Sequence, residues 1–466
     1  MIESSAHTCT DRAPINRKLR RAYDLRGTYA ETLTAADAYG VGLAYAGLAA
    51  ARRFKCIAVS RDGRLSSPEL EAALIDGLTV GGIQVFRLPP GPTPLVSFAI
   101  HRMQLHGGIM VTGSHNPADQ NGFKLLLGGT PIYGDALDGL WAIEPTRRTG
   151  GNVRDVNVTG EYIDSLLFEV EECCVASAAW DSGNGATGAV VEALASRLPG
   201  RQQTIFTDVD GTFPNHHPDP SVPQNMHDLA RVVVEHGLDI GIAFDGDGDR
   251  IGVVDSAGEI LWADQLMLLL AQDVLRENAG ATIVADVKSS DLLFSGIDAA
   301  GGHGVMSPSG YVLVREVMLR EQAPLAGEMS GHIFFGDRWH NADDALYVAM
   351  RTLRALARSG RTLRQFRERL PESFATPELR FACADERKAP VLGAIGSQVR
   401  ATGALVDSTD GLRVTVHDGW WLLRASGTEP KLTARCEART AQGLARISAE
   451  VADLLAEFGL KAPGLA

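Results

Sequence analysis

The feature that most constrains this chain is a repeated local grammar. A short apolar run ends in a loop of Gly, Asp, Ser or Asn, and a helical pattern follows. Ile57-Ala58-Val59-Ser60 leads into Arg61-Asp62-Gly63-Arg64, with helical periodicity from Pro68 to Gly81. Ile83-Gln84-Val85-Phe86, a Pro-rich turn and a helix near Leu95 to Leu105 come next, and Gly108-Ile109-Met110-Val111 then opens into a loop holding Ser114. The pattern returns at Ala178-Ala179-Trp180-Asp181, with a helix through Leu194, at Ile240-Gly241-Ile242-Ala243-Phe244, and at Ala281-Thr282-Ile283-Val284-Ala285. Alternation of this kind predicts layered α/β units with mostly parallel or mixed sheets.

A chain of 466 residues exceeds what one hydrophobic core serves, so several domains are required. The texture changes after the helical stretch Ala345 to Arg369. Arg413-Val414-Thr415-Val416-His417 and Trp420-Trp421-Leu422-Leu423 read as strands around an Asp418-Gly419 hairpin turn. The expected organisation is three similar α/β, mixed-sheet domains over 1–156, 157–258 and 259–371, then a smaller α+β domain over 372–466. No residue-level repeat at a fixed period accompanies the shared architecture.

Composition narrows the partners. A formal net charge of −13 argues against nucleic acid or an anionic membrane as the main partner, though local loops can still hold a phosphorylated small molecule. Cys9, Cys56, Cys173, Cys174, Cys383 and Cys436 form no C-x-x-C pair and no disulfide framework. Met1 to Leu19 lacks the apolar core of a signal peptide, and no run reaches the ~18 apolar residues of a membrane span. These features predict a reduced, cytoplasmic, multidomain protein.

Four loops carry the chemistry. In Val111-Thr112-Gly113-Ser114-His115-Asn116-Pro117 a serine follows a strand, where backbone N–H groups can converge on it. Such a hydroxyl can carry a phosphate or act as a nucleophile; an ordinary turn before Pro117 is the alternative. Asn116 can orient a phosphate there and Lys124 can balance its charge. Asp245-Gly246-Asp247-Gly248-Asp249-Arg250 alternates carboxylates with glycines. Three like charges so close repel unless a cation sits among them, and oxygen-only ligands favour Mg²⁺. The competing reading is a charged surface turn, while an EF-hand is disfavoured by the short loop.

Gly327-Glu328-Met329-Ser330-Gly331-His332 offers a carboxylate, a hydroxyl and an imidazole suited to sugar hydroxyls, or else forms a polar β-turn. Arg424-Ala425-Ser426-Gly427-Thr428-Glu429-Pro430-Lys431 has the composition of a phosphate cradle, or of a Ser/Thr/Gly hairpin loop. Tyr23-Asp24-Leu25-Arg26-Gly27 offers a further arginine, and Arg61 to Arg64 reads equally as an ion-pair turn or a ligand site. His216-His217 reads as loop structure.

Together and in this order, the motifs resemble the α-D-phosphohexomutase superfamily, in particular its phosphomannomutase/phosphoglucomutase group, from about Ala22 to Glu437. The resemblance implies four domains around a central cleft. It also implies a phosphorylated Ser114 and one Mg²⁺ per chain held by Asp245, Asp247, Asp249 and the Ser114 phosphate. Glu328, Ser330 and His332 would bind sugar hydroxyls, and Arg424, Ser426, Gly427 and Thr428 the substrate's phosphate. Tyr23, Arg26, Asn116, Lys124, Arg250 and Lys288 match further active-site positions. The sugar loop is that of the mannose and glucose enzymes; glucosamine mutases usually carry Gln at the position of Met329.

One departure stands out. Where the group usually reads Lys-Thr-Gly-His after Val-Met, this chain has Pro308-Ser309-Gly310-Tyr311, which puts a phenol beside the substrate in place of a histidine. The implied reaction exchanges hexose 6-phosphate and hexose 1-phosphate through hexose 1,6-bisphosphate, which is both intermediate and activator. Ser114, Lys124 and Arg250 are its catalytic group, and Lys124 is expected to serve as general acid/base with a pKa lowered by nearby cations. The implied protein is a monomer or weak homodimer. The alternatives are a glucosamine-phosphate mutase, a catalytically weakened sugar-phosphate binder suggested by Tyr311, and a phosphatase with an aspartyl nucleophile.

Overall fold

The computed structural model describes residues 15–144, 146–171, 176–427 and 430–465. Cys9, Cys173, Cys174 and Thr428 lie outside them, as does most of the Met1 to Leu19 stretch. Among the described residues Cys56, Cys383 and Cys436 are free thiols, and no helix is long and apolar enough to cross a membrane.

Among the described residues the strands form four separate sheets, one per domain. In the first sheet Gly107–Val111 lies between Cys56–Arg61, which it pairs in parallel, and Gln120–Leu127, which it pairs antiparallel. Gly107–Val111 is buried along its whole length, which is why it is continuously apolar rather than alternating. The second sheet runs Ile260–Leu261, Ile251–Asp255, Ile240–Phe244, Ala178–Asp181, Gln202–Ile205, and the third His303–Ser307, Thr282–Asp286, Leu325–Gly327, Ile333–Phe335. Each mixes parallel and antiparallel pairs. The fourth sheet is antiparallel throughout.

One apolar core runs through the first three domains, joining Met110, Tyr162, Trp180, Phe244, Leu266, Ile283 and Tyr347. The fourth domain has its own core around Trp421, Leu423, Leu432 and Ile447. It meets the third domain through a seam in which Val287 and Met306 pack against Trp420 and Leu422 and polar contacts surround them. There Arg413 stacks 3.7 Å over Trp420 and donates to the Ser289 carbonyl at 2.8 Å, and Arg435 donates to the Lys288 carbonyl at 2.6 Å. The seam therefore frames the Lys288 loop.

Two expectations need correction. The helical stretch Ala345 to Arg369 is two helices, Ala345–Ser359 and Leu363–Arg367, because Gly360 takes a left-handed φ of 64° and stops the first. The hairpin turn is His417-Asp418 rather than Asp418-Gly419, since Gly419 already pairs with Val416. A Cβ on Gly419 would lie 2.0 Å from the Glu437 carbonyl oxygen, so strand packing rather than turn geometry requires that glycine.

Asp344 caps the helix Ala345–Ser359 by accepting from the Tyr347 N–H at 2.9 Å, and also accepts from the Tyr162 hydroxyl at 2.8 Å. Burial pushes its carboxyl up to about 7. A carboxyl raised in the fold contributes stability that is fully present below its unfolded value of 3.8 and is lost as pH rises through about 7. Asp344→Asn removes that titration. Denaturation from pH 4 to 8 is expected to show the wild type losing a few kcal/mol relative to Asp344→Asn, on the order of 1.4 kcal/mol per pKa unit; parallel pH profiles would contradict this.

Candidate active site

Ser114 lies in the loop between Gly107–Val111 and Gln120–Leu127, 3% exposed and with a positive φ of 49°. Left-handed backbone is unusual outside glycine and needs support from its surroundings. Arg64 supplies much of that support. Its guanidinium donates to the carbonyls of Ser114 at 2.7 Å, Asn116 at 2.6 Å and Gln120 at 2.9 Å, and also to that of Pro117. Asp62 holds Arg64 Nε at 3.2 Å and accepts from the Gly113 N–H at 3.1 Å. The Arg61 to Arg64 turn is thus an ion-pair support for the serine loop. A side chain at Gly113 would collide with Arg64, its Cβ falling 2.3 Å from the guanidinium.

The second-sheet strand Ile240–Phe244 delivers the metal loop against this one. Ser114 Oγ donates to Asp245 Oδ2 at 2.8 Å, joining residues 131 positions apart. A Cβ on Gly246 would stand 2.4 Å from the Ser114 carbonyl oxygen, so the glycine permits the two loops to touch. Asp245 Oδ1 accepts backbone N–H groups of Gly248, Asp249 and Arg250 at 3.0, 3.1 and 3.2 Å. Lys124 Nζ lies 2.7 Å from Asp247 Oδ2 and also binds Asp249, while Thr93 donates its hydroxyl to Asp247.

Burial and the adjacent Asp249 and Asp247 push the Asp245 carboxyl well above its ordinary range. Burial and Asp247 raise Asp249 as well. Burial would also raise Asp247, but Lys124 overrides it and holds that carboxyl low. Lys124 pairs directly with two of the three buried carboxylates, Asp247 and Asp249. Asp247 Oδ1 and Asp249 Oδ1 are buried without a hydrogen-bond partner, and ligand oxygens of all three residues fall within 4.8 Å of one another. An oxygen-only set with unpartnered lone pairs fits a hard divalent cation.

Lys124 corrects an expectation. Burial alone would lower its pKa, but Asp247 and Asp249 outweigh burial and raise it, opposite to the lowering expected from nearby cations. His115 lies with Nδ1 3.2 Å from Ser114 Oγ, and Arg250, burial and Arg26 keep it neutral by driving its pKa well below the usual value.

The remaining predicted residues fall into two groups. Arg26 binds Asp24 at 2.8 Å and the Thr112 carbonyl, beside the serine loop. Asn116 sits in that loop with its amide donating to Gln120 Oε1 at 2.9 Å. Arg250 Nε donates to His332 Nε2 at 2.9 Å, and Tyr311 stacks on His332 with centroids 5.1 Å apart. Glu328 accepts from the Gly310 N–H at 2.9 Å and from the Ser330 hydroxyl. Tyr23 donates to the Ser309 carbonyl at 3.1 Å and meets Tyr311 edge-on.

Lys288 lies 3.5 Å from both Asp286 and Glu378, and Arg424 Nε donates to Asp410 at 2.9 Å. Asp410 also accepts from the Ser309 N–H at 3.0 Å, so it joins the Arg424 loop to the sugar loop's side of the cleft and not to Ser114. The Ser426 N–H donates to the Lys431 carbonyl at 3.0 Å, and Gly427 is exposed with open space where a Cβ would stand. Sequence reasoning missed Thr93, Asp343, Glu378 and Asp410. Thr93 follows a strand and a Gly-Pro turn, as the chemical loops do, while the three acids stand in no motif.

A second trio, Asp249, His332 and Asp343, also brings ligand-type atoms within 4.8 Å. Arg250 donates to His332 Nε2, while His332 Nδ1, Asp343 Oδ2 and Asp249 Oδ1 are buried without hydrogen-bond partners.

Comparison with known proteins agrees with this geometry. Four family models of phosphoglucomutase/phosphomannomutase match in chain order: alpha/beta/alpha domain I over 17–146, domain II over 161–258, domain III over 262–374 and the C-terminal domain over 378–454. A phosphoglucomutase of Neisseria meningitidis serogroup A is 41% identical over 444 residues, covering 93% of this chain and 96% of the relative. A phosphomannomutase/phosphoglucomutase of Pseudomonas aeruginosa is 38% identical, covering 94% of this chain and 96% of the relative. The crystal structure of a phosphoglucomutase/phosphomannomutase family protein from Burkholderia thailandensis superposes with a TM-score of 0.89 at 37% identity, over 97% of this chain and 100% of that one.

Proposed function

The chain belongs to the phosphoglucomutase/phosphomannomutase family of α-D-phosphohexomutases, and from that premise we propose that it interconverts hexose 6-phosphate and hexose 1-phosphate through a phosphoserine at Ser114. The enzyme is an intramolecular phosphotransferase acting on glucose or mannose phosphates, as its relatives are named. The observation that carries the serine assignment is the Ser114 hydroxyl, 2.8 Å from Asp245 in a buried carboxylate set with unpartnered oxygens.

In the first half-reaction the Ser114 Oγ–P bond breaks and a P–O bond forms to the sugar's free hydroxyl, whose proton passes to the departing Ser114 oxygen and restores its hydroxyl. The product is a hexose 1,6-bisphosphate. After it turns within the cleft, its other phosphate passes to Ser114. Such transfer depends on positioning and charge neutralisation more than on covalent assistance. Lys124, with its raised pKa, and Arg250, linked to His332, are the fixed cations beside Ser114. Asp245, Asp247 and Asp249 would hold Mg²⁺, which when bound supplies further positive charge at the phosphoryl oxygens. Glu328, Ser330 and His332 would read the sugar hydroxyls. Lys288, Arg424, Ser426, Gly427 and Thr428, with Tyr23 and Tyr311, would hold the distal phosphate and the ring, and Arg26 and Asn116 would act beside Ser114. The reading includes a division of labour over 1–156, 157–258, 259–371 and 372–466, in a cytoplasmic monomer or weak homodimer.

A coupled assay on glucose, mannose and glucosamine phosphates with hexose 1,6-bisphosphate tests the activity. Turnover on glucose or mannose phosphate is expected; turnover on glucosamine phosphate alone would overturn the sugar assignment. The metal reading has an independent test. Mg²⁺ relieves repulsion among Asp245, Asp247 and Asp249 only in the folded chain, so it is expected to stabilise the apoprotein by about 2.7 kcal/mol at a hundredfold excess over its dissociation constant. Asp247→Asn should abolish that shift. An Mg²⁺-insensitive melting temperature in the wild type would contradict the site.

A further inference from the structure

His216 stands outside the four chemical loops, with its side chain 12% exposed, and both of its ring nitrogens face acceptors. Nε2 lies 3.0 Å from Asp181 Oδ2, and Nδ1 lies 3.0 Å from the carbonyl oxygen of His217. A neutral imidazole has one N–H to give, so filling both bonds calls for the imidazolium, paired with the fully buried Asp181 carboxylate. Burial opposes that charge, but the hydrogen bond to Asp181 outweighs it and raises the His216 pKa. The other Asp181 oxygen accepts from the Gly183 N–H at 2.8 Å. The ion pair thus ties the loop after the strand Ala178–Asp181 to the segment His216-His217-Pro218.

Both tied segments reach the metal loop at one residue. The Gly246 N–H donates to the Pro218 carbonyl at 3.2 Å, and the Gly246 carbonyl accepts from the Ala186 N–H at 2.9 Å. Gly246 separates Asp245 from Asp247, so the hold on its two peptide groups sets how those carboxylates are spaced. Contact here is close. A Cβ on Gly246 would lie 3.3 Å from the Pro218 ring, and one on Gly185 would lie 2.8 Å from the Gly246 carbonyl oxygen. Gly183, with a φ of 51°, faces Pro218 and His216 in the same way, its Cβ position 3.1 and 3.3 Å from them.

We propose that His216 and Asp181 are positioning residues for the metal: their ion pair clamps two segments of the second domain on the backbone of Gly246 and so holds Asp245 and Asp247 at the spacing a divalent cation needs. The inference rests on the reading of Asp245, Asp247 and Asp249 as the Mg²⁺ ligands. The pair acts at one remove, through the peptide groups of Pro218, Ala186 and Gly246. Its loss frees those two segments to draw apart, and the metal loop then meets the cation with its carboxylates misplaced. The expected consequence is weaker Mg²⁺ binding, with the sugar-side residues of the third and fourth domains unaffected.

The test titrates Mg²⁺ by calorimetry into wild type, His216→Ala, Asp181→Asn and the double variant, and follows mutase turnover against Mg²⁺ concentration in parallel. Each single change should raise the Mg²⁺ dissociation constant by about 10–100-fold, as loss of a ligand-supporting partner does. The double variant should bind no more weakly than the weaker single variant, because both changes break one pair. Saturating Mg²⁺ should restore kcat, with the KM for hexose phosphate within about twofold of wild type. His217→Ala keeps the backbone carbonyl that His216 faces and should bind like wild type. A folded His216→Ala or Asp181→Asn protein whose dissociation constant stays within about twofold of wild type would overturn the proposal, as would a loss of kcat that saturating Mg²⁺ leaves in place. Should His216→Ala fail to fold, Asp181→Asn, which keeps the shape of the buried side chain, decides the matter. A wild type that takes up no Mg²⁺ would refute the metal reading and the clamp with it. A wild type that binds Mg²⁺ without mutase turnover would count against the mutase reading alone, and the calorimetry would still decide the clamp.

Discussion

Ser114→Ala is expected to lower mutase turnover by roughly 10⁴-fold or more while leaving the fold and the Mg²⁺-induced stabilisation in place. The hydroxyl is the one group that can carry the phosphoryl between half-reactions, and no other nucleophile of the described chain hydrogen-bonds to Asp245 in its stead. Added hexose 1,6-bisphosphate should not rescue the variant, because the bisphosphate can only hand its phosphate back to Ser114. An aspartyl phosphatase predicts the opposite: persistent activity in Ser114→Ala and release of inorganic phosphate. Measuring both products in one assay separates the two.

Arg64→Ala is expected to be the most damaging change outside the reacting groups. Arg64 is 1% exposed and donates to the carbonyls of Ser114, Asn116, Pro117 and Gln120, so its loss removes those four bonds and the ion pair with Asp62. Removing one member of a buried charged pair costs about 3–5 kcal/mol. Chemical denaturation of the variant should show a loss of that order, and turnover should fall by at least about 10²-fold as the left-handed conformation at Ser114 relaxes. Arg64→Lys should rescue little, since an ammonium cannot reach four carbonyls with a planar fork. A stability loss under about 1 kcal/mol would show that the serine loop holds its shape without Arg64.

Those two residues also mark what can and cannot be read from the sequence. The Asp245-Gly246-Asp247-Gly248-Asp249 run declares itself because its chemistry is local: like charges a few bonds apart demand a cation, and the glycines between them permit the curl. Strand-to-loop transitions declare themselves too, since buried parallel strands are continuous apolar runs. Arg64 was ambiguous because its acceptors lie 50 to 56 positions away, and nothing in Arg61-Asp62-Gly63-Arg64 says whether the guanidinium faces a ligand or a carbonyl.

Asp343 was missed because it stands in no motif, and only the fold brings its carboxylate to 2.9 Å from His332 Nδ1. Lys124 shows a different failure. Its position was legible, but its protonation depends on which charges surround it, and the carboxylates win over the cations. Tyr311 was recognised as a departure from the family pattern, and its stacking on His332 gives the replacement a packing role that residue type alone does not state.

The central claim is that Ser114 carries the phosphoryl group. The most direct test is peptide mapping by mass spectrometry of enzyme charged with hexose 1,6-bisphosphate and then mixed with hexose 6-phosphate. The account predicts one phosphate on the peptide containing Ser114, removed stoichiometrically as bisphosphate forms. Phosphate on another residue, or an unlabelled Ser114 in enzyme that still turns over, would contradict it.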